Sequence, residues 1–174
     1  MKKKLLTIVM TLIVGTVWPV LGVKGPGASQ NPVIMESFAA KEIRSGDTWK
    51  IYLRASDPAG KMNYIYATID QAGGFAYPLS RTRIKSQNSK ELSGYIYLYT
   101  SASRFDMTYQ TLTLTVHIGD GSGNFSNAAT FPLTFQPRAV QEPPPSGVFK
   151  EKDLGPIMIQ LYPSASDNGT DSYL

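Results

Sequence analysis

The sequence predicts an all-β fold, an antiparallel β-sandwich of about seven strands, and three observations carry that prediction. Apolar and polar residues alternate with a period of two in several short runs, as they do on a strand with one buried face. Clusters of Gly, Pro, Asp and Asn interrupt the chain about every 8–12 residues. Between Val33 and Gln136 no stretch repeats its apolar residues at helical spacing.

Val33 to Phe38 is the first expected strand, and Ser45-Gly46-Asp47 is a turn. Thr48 to Ser56 then alternates cleanly, with Trp49, Ile51, Leu53 and Ala55 on one face and Lys50, Tyr52 and Arg54 on the other. Asp57-Pro58-Ala59-Gly60 turns the chain, because Pro presets φ and Gly permits a positive φ. Met62 to Ile69 is a strand with Ile65, Ala67 and Ile69 inward and Tyr64 and Tyr66 outward. A glycine-rich loop, Gln71 to Tyr77, leads into a weak strand at Leu79 to Lys85 and a polar turn at Gln87 to Lys90. Gly94 to Thr100 places Ile96 and Leu98 on one face and Tyr95, Tyr97 and Tyr99 on the other. Thr111 to Ile118 has the clearest alternation, with Leu112, Leu114, Val116 and Ile118 against Thr111, Thr113, Thr115 and His117. After the turn Asp120-Gly121-Ser122-Gly123-Asn124, the strand Thr130 to Phe135 points Phe131, Leu133 and Phe135 inward. Pro132 points outward there, which fits an edge strand, since proline has no N–H to give a ladder.

This count and spacing is the pattern of an immunoglobulin-like sandwich. Residues 33–136 also resemble the bacterial immunoglobulin-like and fibronectin-III-like domains of exported proteins. One part of the resemblance is Trp49 to Gly60, a second strand running into an Asp-Pro-x-Gly turn. The other is Leu114 to Asn127, a late strand ending in an Asp-x-x-Gly-Asn-x-Ser turn. The resemblance implies the architecture and no particular activity. Antibody-type domains differ, having an inter-sheet cysteine pair and a tryptophan on a later strand.

Residues 137–147, with Pro143-Pro144-Pro145, read as an extended, semi-rigid linker. In the C-terminal tail, residues 148–174, the segment 154–162 is an apolar island of strand length. The simpler expectation is that it adds a strand to its own domain's edge. The alternative is that it augments a partner's sheet. The polar stretch Ser164 to Leu174 is expected to be disordered.

Residues 1–22 read as a secretory signal: Lys2-Lys3-Lys4, an apolar run from Leu5 to Val17, then Trp18-Pro19 and the small residue Gly22. A flexible lead-in, residues 23–32, follows. The protein is therefore expected to be exported, to a periplasm or beyond the cell. Membrane contact is expected only through the signal, if it stays uncleaved. Removing the signal removes three lysines and brings the formal charge of +4 close to neutrality. Without clustered Lys and Arg, nucleic acid is not an expected partner. The absence of cysteine excludes disulfides, Fe–S clusters and Cys-based zinc sites. An apolar content of 42% leaves a hydrophobic core to hold the fold.

Candidate sites are few, and no cofactor is expected. Asp57, Asp120 and Asn124 sit in two turns that an immunoglobulin-like strand order brings to one end. Their oxygens are a candidate calcium site, although each is also explained by local turn hydrogen bonds. Tyr52, Tyr64, Tyr66, Tyr95, Tyr97 and Tyr99 are all expected to face outward, a candidate binding surface for a protein or for sugar rings. The simpler reading is that loops or the 154–162 segment cover them, or that they form ordinary cross-strand pairs. His117, the only histidine, reads as a surface-strand residue, since no Gly-x-Ser-x-Gly elbow or second nitrogen ligand accompanies it. The 13 acids single out no catalytic pair. The expectation is a non-enzymatic binding or accessory module making protein–protein contacts with an envelope or extracellular protein. Carbohydrate binding through the same tyrosines, and a structural spacer with covered tyrosines, are the alternatives.

Overall fold

In a computed structural model, which describes residues 31–73, 76–102 and 106–164, the chain forms two β-sheets packed face to face. The expected signal (residues 1–22), almost all of the lead-in, part of the glycine-rich loop and residues 165–174 lie outside the described residues. The strands are β1 (Val33–Ala39), β2 (Glu42–Ile43), β3 (Thr48–Ser56), β4 (Met62–Asp70), β5 (Ser80–Arg83), β6 (Glu91–Tyr99), β7 (Thr111–Asp120), β8 (Ala129–Phe135) and β9 (Asp153–Pro156). One sheet runs β1-β3-β6-β9 and the other β2-β8-β7-β4-β5. Neighbours are antiparallel except for β2 with β8 and β6 with β9. Two of these strands, β2 and β9, go beyond the expected seven; each is short and lacks a usable alternation.

The alternating faces meet in a single core. Trp49, Ile51, Leu53, Ile96 and Leu98 from one sheet pack toward Ile65, Leu114, Ile118 and Phe135 from the other, all essentially inaccessible to solvent. Burying each such side chain contributes about 1.5–3 kcal/mol, and in a chain without disulfides that burial carries the stability. The Trp49 indole donates a 2.8 Å hydrogen bond to the Ala40 carbonyl, so its one polar atom is satisfied inside the core. Among the described residues, no buried side-chain nitrogen or oxygen lacks a partner.

Edges are handled locally. The Asn127 side-chain amide clasps the backbone of Ile34 on β1, accepting from its N–H at 2.9 Å and donating to its carbonyl at 3.2 Å. That blocks part of the open edge of the first sheet. On β8, Pro132 is exposed and lies beyond the reach of β2, which pairs only with Thr134 and Phe135.

The sandwich does not stop at residue 136. The segment expected to be a linker returns across the first sheet as a strap. Its Gln141 side chain accepts from Lys50 N–H (3.1 Å) and donates to the Thr48 carbonyl (3.3 Å). β1 pairs with β3 only as far as Ile51, so Gln141 serves backbone groups that β1 has left behind. Then β9 joins β6, and the chain crosses to the second sheet. The Ile157 N–H reaches the Tyr97 carbonyl at 2.7 Å, the Thr82 hydroxyl donates to the Pro156 carbonyl at 2.6 Å, and the Met158 N–H reaches Ser80 Oγ at 2.8 Å. Ile157, Ile159 and Leu161 are buried in the common core. The apolar island therefore docks on its own domain. Only its first residues, with Asp153, are a strand; the remainder is an irregular seam closing one side of the sandwich.

Candidate interaction surface

The period-two rule decides where each tyrosine goes, and it divides the six candidates between opposite faces. Tyr52 on β3 and Tyr95, Tyr97 and Tyr99 on β6 lie on the outer face of the four-stranded sheet. Tyr64 and Tyr66 on β4 lie on the outer face of the other sheet. They do not form one surface, because β4 belongs to the sheet that contains neither β3 nor β6.

On the first face the rings form a continuous ladder. Tyr52 and Tyr95 are directly cross-strand and their centroids are 5.5 Å apart. Tyr95 and Tyr97 follow at 6.3 Å, and Tyr97 and Tyr99 at 4.9 Å with an edge-to-face angle of 72°. Phe38 on β1 extends the ladder on the other side of Tyr52, at 6.4 Å. Lys50 Nζ sits 4.2 Å from the centre of the Tyr95 ring, a cation–π contact.

Exposure along the ladder is graded. Tyr99 is 49% exposed and Tyr52 only 5%. The expectation that Tyr52 faces solvent is overturned by the strap: Phe149 packs against its ring at 5.7 Å with a tilt of 48°, and Glu151 Oε1 accepts its hydroxyl hydrogen at 2.7 Å. The same carboxylate lies 3.3 Å from Lys50 Nζ. Burial, then the hydrogen bond and the negative charge of Glu151, push the Tyr52 hydroxyl well above the ordinary tyrosine range. The hydrogen bond from Tyr52 and the nearby Lys50 hold the Glu151 carboxyl below its usual value, against a smaller opposing effect of burial. Tyr97 is also raised, first by a hydrogen bond with Tyr99 and then by burial and the charge of Asp153.

On the opposite face, Tyr64 and Tyr66 are 6.0 Å apart and Tyr66 meets Phe125 edge-on at 5.3 Å. The Tyr66 ring lies over Gly119; a Cβ there would come within 2.6 Å of it. Both tyrosines are half-buried; they contact each other along β4, and Phe125 covers Tyr66 from the turn after β7.

The acidic turns do come together. Gly121 N–H bonds the Lys61 carbonyl, joining the Asp120 turn to the Asp57 turn. Their carboxylates are committed to their own backbone, however. Asp57, fully buried, accepts from the N–H groups of Ala59 (2.9 Å) and Lys61 (2.6 Å). Asp120 accepts from the N–H groups of Ser122 and Asn124, both at 2.8 Å, and from the Asn124 side-chain amide at 2.9 Å. Burial works against the charged form of Asp120, but these donors and Lys61 outweigh it and hold the carboxyl below its usual range. Among the described residues, no group of three or more His, Asp or Glu side chains is placed to hold a metal ion. His117 is half-buried, with Nδ1 3.3 Å from the Ser126 carbonyl.

Of the exposed aromatics that the alternation did not single out, Tyr109 and Phe125, the first is the more open. Tyr109 has a left-handed backbone (φ 66°) and is 72% exposed, on a turn closed by Gln110 N–H to the Met107 carbonyl. A bulky residue at positive φ is unusual, and nothing in the alternation marks it. The chain matches no protein-family model, no curated protein and no solved structure, so the chemistry of the surface itself carries the functional argument.

Proposed function

We propose that this protein is an exported, non-enzymatic binding or accessory module with an immunoglobulin-like sandwich. It acts by protein–protein contact in the cell envelope or outside the cell, through the outer face of the four-stranded sheet. The reading of residues 1–22 as a secretory signal supports export. The immunoglobulin-like reading is supported by the crossing of the first edge from one sheet (β1) to the other, where β2 runs parallel to the last antiparallel strand, β8.

The observation that carries the binding reading is the graded tyrosine ladder, open at Tyr99 and flanked by Lys50. Tyrosine offers large contact area at low entropic cost and is enriched at the centres of protein interfaces. The ring angles favour a protein over a polysaccharide. Adjacent rings stand at 55° and 72° to one another, so their edges meet neighbouring faces. A flat sugar surface is met by rings lying in one plane.

Cross-linking in the native cell, followed by tagged purification and mass spectrometry, tests the proposal alongside a Tyr97→Ser/Tyr99→Ser variant. A partner captured by the parent and lost by the variant is the expected result. A partner retained by the variant overturns this face as the contact. Saturable polysaccharide binding that the variant loses overturns the protein reading in favour of a glycan.

A further inference from the structure

We propose that the outer face of the four-stranded sheet receives an extended protein segment bearing an aromatic residue and, two positions later, an acidic one. Residues 146–151 occupy that face as an internal stand-in, which such a partner displaces. The inference rests on the binding face proposed above and names the chemistry of its partner.

The strap itself supplies the template. Extended backbone sends alternate side chains to one side, and Phe149 and Glu151 both reach the sheet, Phe149 half-buried and Glu151 still largely open to solvent. Phe149 packs against Tyr52, and Glu151 takes the Tyr52 hydroxyl with one oxygen and approaches Lys50 with the other. The Lys150 N–H is held by Ser93 Oγ at 3.1 Å. The face thus offers an aromatic platform, a phenol donor and an ammonium group, arranged for an aromatic-x-acid sequence.

The strap is a cover and not part of the core. No residue from Gln141 to Lys152 is fully buried, whereas Ile157, Ile159 and Leu161 beyond it are. A groove of about 520 Å³ remains between strap and sheet, lined by Met35, Arg54, Glu91, Val148 and Phe149 among others. Core packing leaves no such space. The strap can therefore lift while β9 and the seam behind it stay docked. Gly147, at φ +75° directly after Pro143-Pro144-Pro145 and Ser146, gives it a bend at one end; at the other, Lys152 stays with β9, its carbonyl accepting the Tyr95 N–H at 2.8 Å. Lifting exposes the Tyr52 hydroxyl without its acceptor, so an incoming carboxylate regains the contact that Glu151 gives up.

The test uses the full chain and a fluorescein-labelled peptide of residues 146–152, Ser-Gly-Val-Phe-Lys-Glu-Lys. A Phe149→Ser/Glu151→Ser variant has its strap released. It is expected to bind the peptide saturably and at least tenfold more tightly than the parent chain does, and not to bind the same peptide carrying Phe149→Ala. A folded variant with no saturable binding, or one that binds both peptides alike, overturns the proposal. Hydrogen exchange on the parent protein gives an independent reading that needs no variant. Amides of 148–151 exchanging well before those of 157–161 support a separable strap; exchange of both in one step overturns it. A failed titration with Tyr97/Tyr99-dependent capture intact overturns only the role of the strap. Capture independent of those tyrosines overturns the face itself.

Discussion

The hydroxyl of Tyr52 donates a 2.7 Å hydrogen bond to Glu151, across 99 positions of the chain. The contact fastens the strap to β3, an inner strand of the four-stranded sheet, and decides that the tyrosine at the β3 end of the ladder is covered.

Tyr52→Phe keeps the ring and removes the donor. Glu151 is mostly solvent-exposed and can rehydrate, so the cost is at the low end for a bond to a charged group, about 1 kcal/mol. Urea denaturation at neutral pH should show it as a lower midpoint with an unchanged slope. The Glu151 carboxyl is lowered in the folded state, so its contribution is present above the unfolded carboxyl pKa and is lost as pH falls through the folded value. The difference between parent and variant should therefore shrink in acid. A gap that is constant from neutrality down to about pH 3, below the ordinary glutamate value, would rule out this linkage.

At alkaline pH the sign reverses. The Tyr52 pKa is raised on folding, so its stabilising contribution is complete below the unfolded tyrosine value, about pH 10, and is lost as pH rises toward the folded value. Ultraviolet titration of the native protein should leave Tyr52 un-ionised until the chain unfolds. The alkaline loss of stability should be smaller in Tyr52→Phe, and equal losses in the two proteins would refute the assignment.

Gly94 is a position where the fold requires a missing side chain. A Cβ there would lie 2.3 Å from the Lys152 carbonyl and 2.9 Å from Leu154 Cγ. Gly94→Ala should push β9 away from β6 and cost about 2–4 kcal/mol. Limited proteolysis should then cut between residues 137 and 156 sooner than in the parent. An unshifted melting curve would show that the strand moves without cost.

The seam beyond β9 is expected to be indispensable. Leu161 is fully buried, and Leu161→Ala should cost about 2–5 kcal/mol. Truncation after Pro145 removes Ile157 and Ile159 as well and uncovers the core they close, so the shortened chain should be unfolded or aggregated. Circular dichroism and size-exclusion chromatography check this directly: a soluble, cooperatively melting monomer would mean the seam is dispensable.

Asp57 acts on its turn. Asp57→Ala leaves the Ala59 and Lys61 N–H groups without their acceptor and should cost about 2–3 kcal/mol. Calcium at millimolar concentration should leave the melting temperature of the parent unchanged, because the oxygens it needs are taken. A calcium-dependent rise that disappears in Asp57→Ala would reverse this conclusion.

Local pattern was enough to place the strands that alternate, their inward faces and most of their turns. Those depend on neighbours two to four positions apart: Trp49, Ile51 and Leu53 on one side of β3, or Asp57 bonding the amides that follow it. It also separated Tyr95, Tyr97 and Tyr99 from Ile96 and Leu98, since the pleat allows no other arrangement. Tertiary structure decided the rest. Which sheet each strand joins put Tyr64 and Tyr66 on the face opposite Tyr52 and Tyr95. The short strands β2 and β9 have too few residues to show a period and exist because β8 and β6 offer them open backbone groups. Tyr52 reads as an outward residue from every neighbour it has in β3; it is buried because Phe149 and Glu151, far along the chain, come to rest on it. Alternation fixes the side of a sheet on which a residue stands. Whether that side meets water depends on contacts between distant segments, which no local pattern encodes.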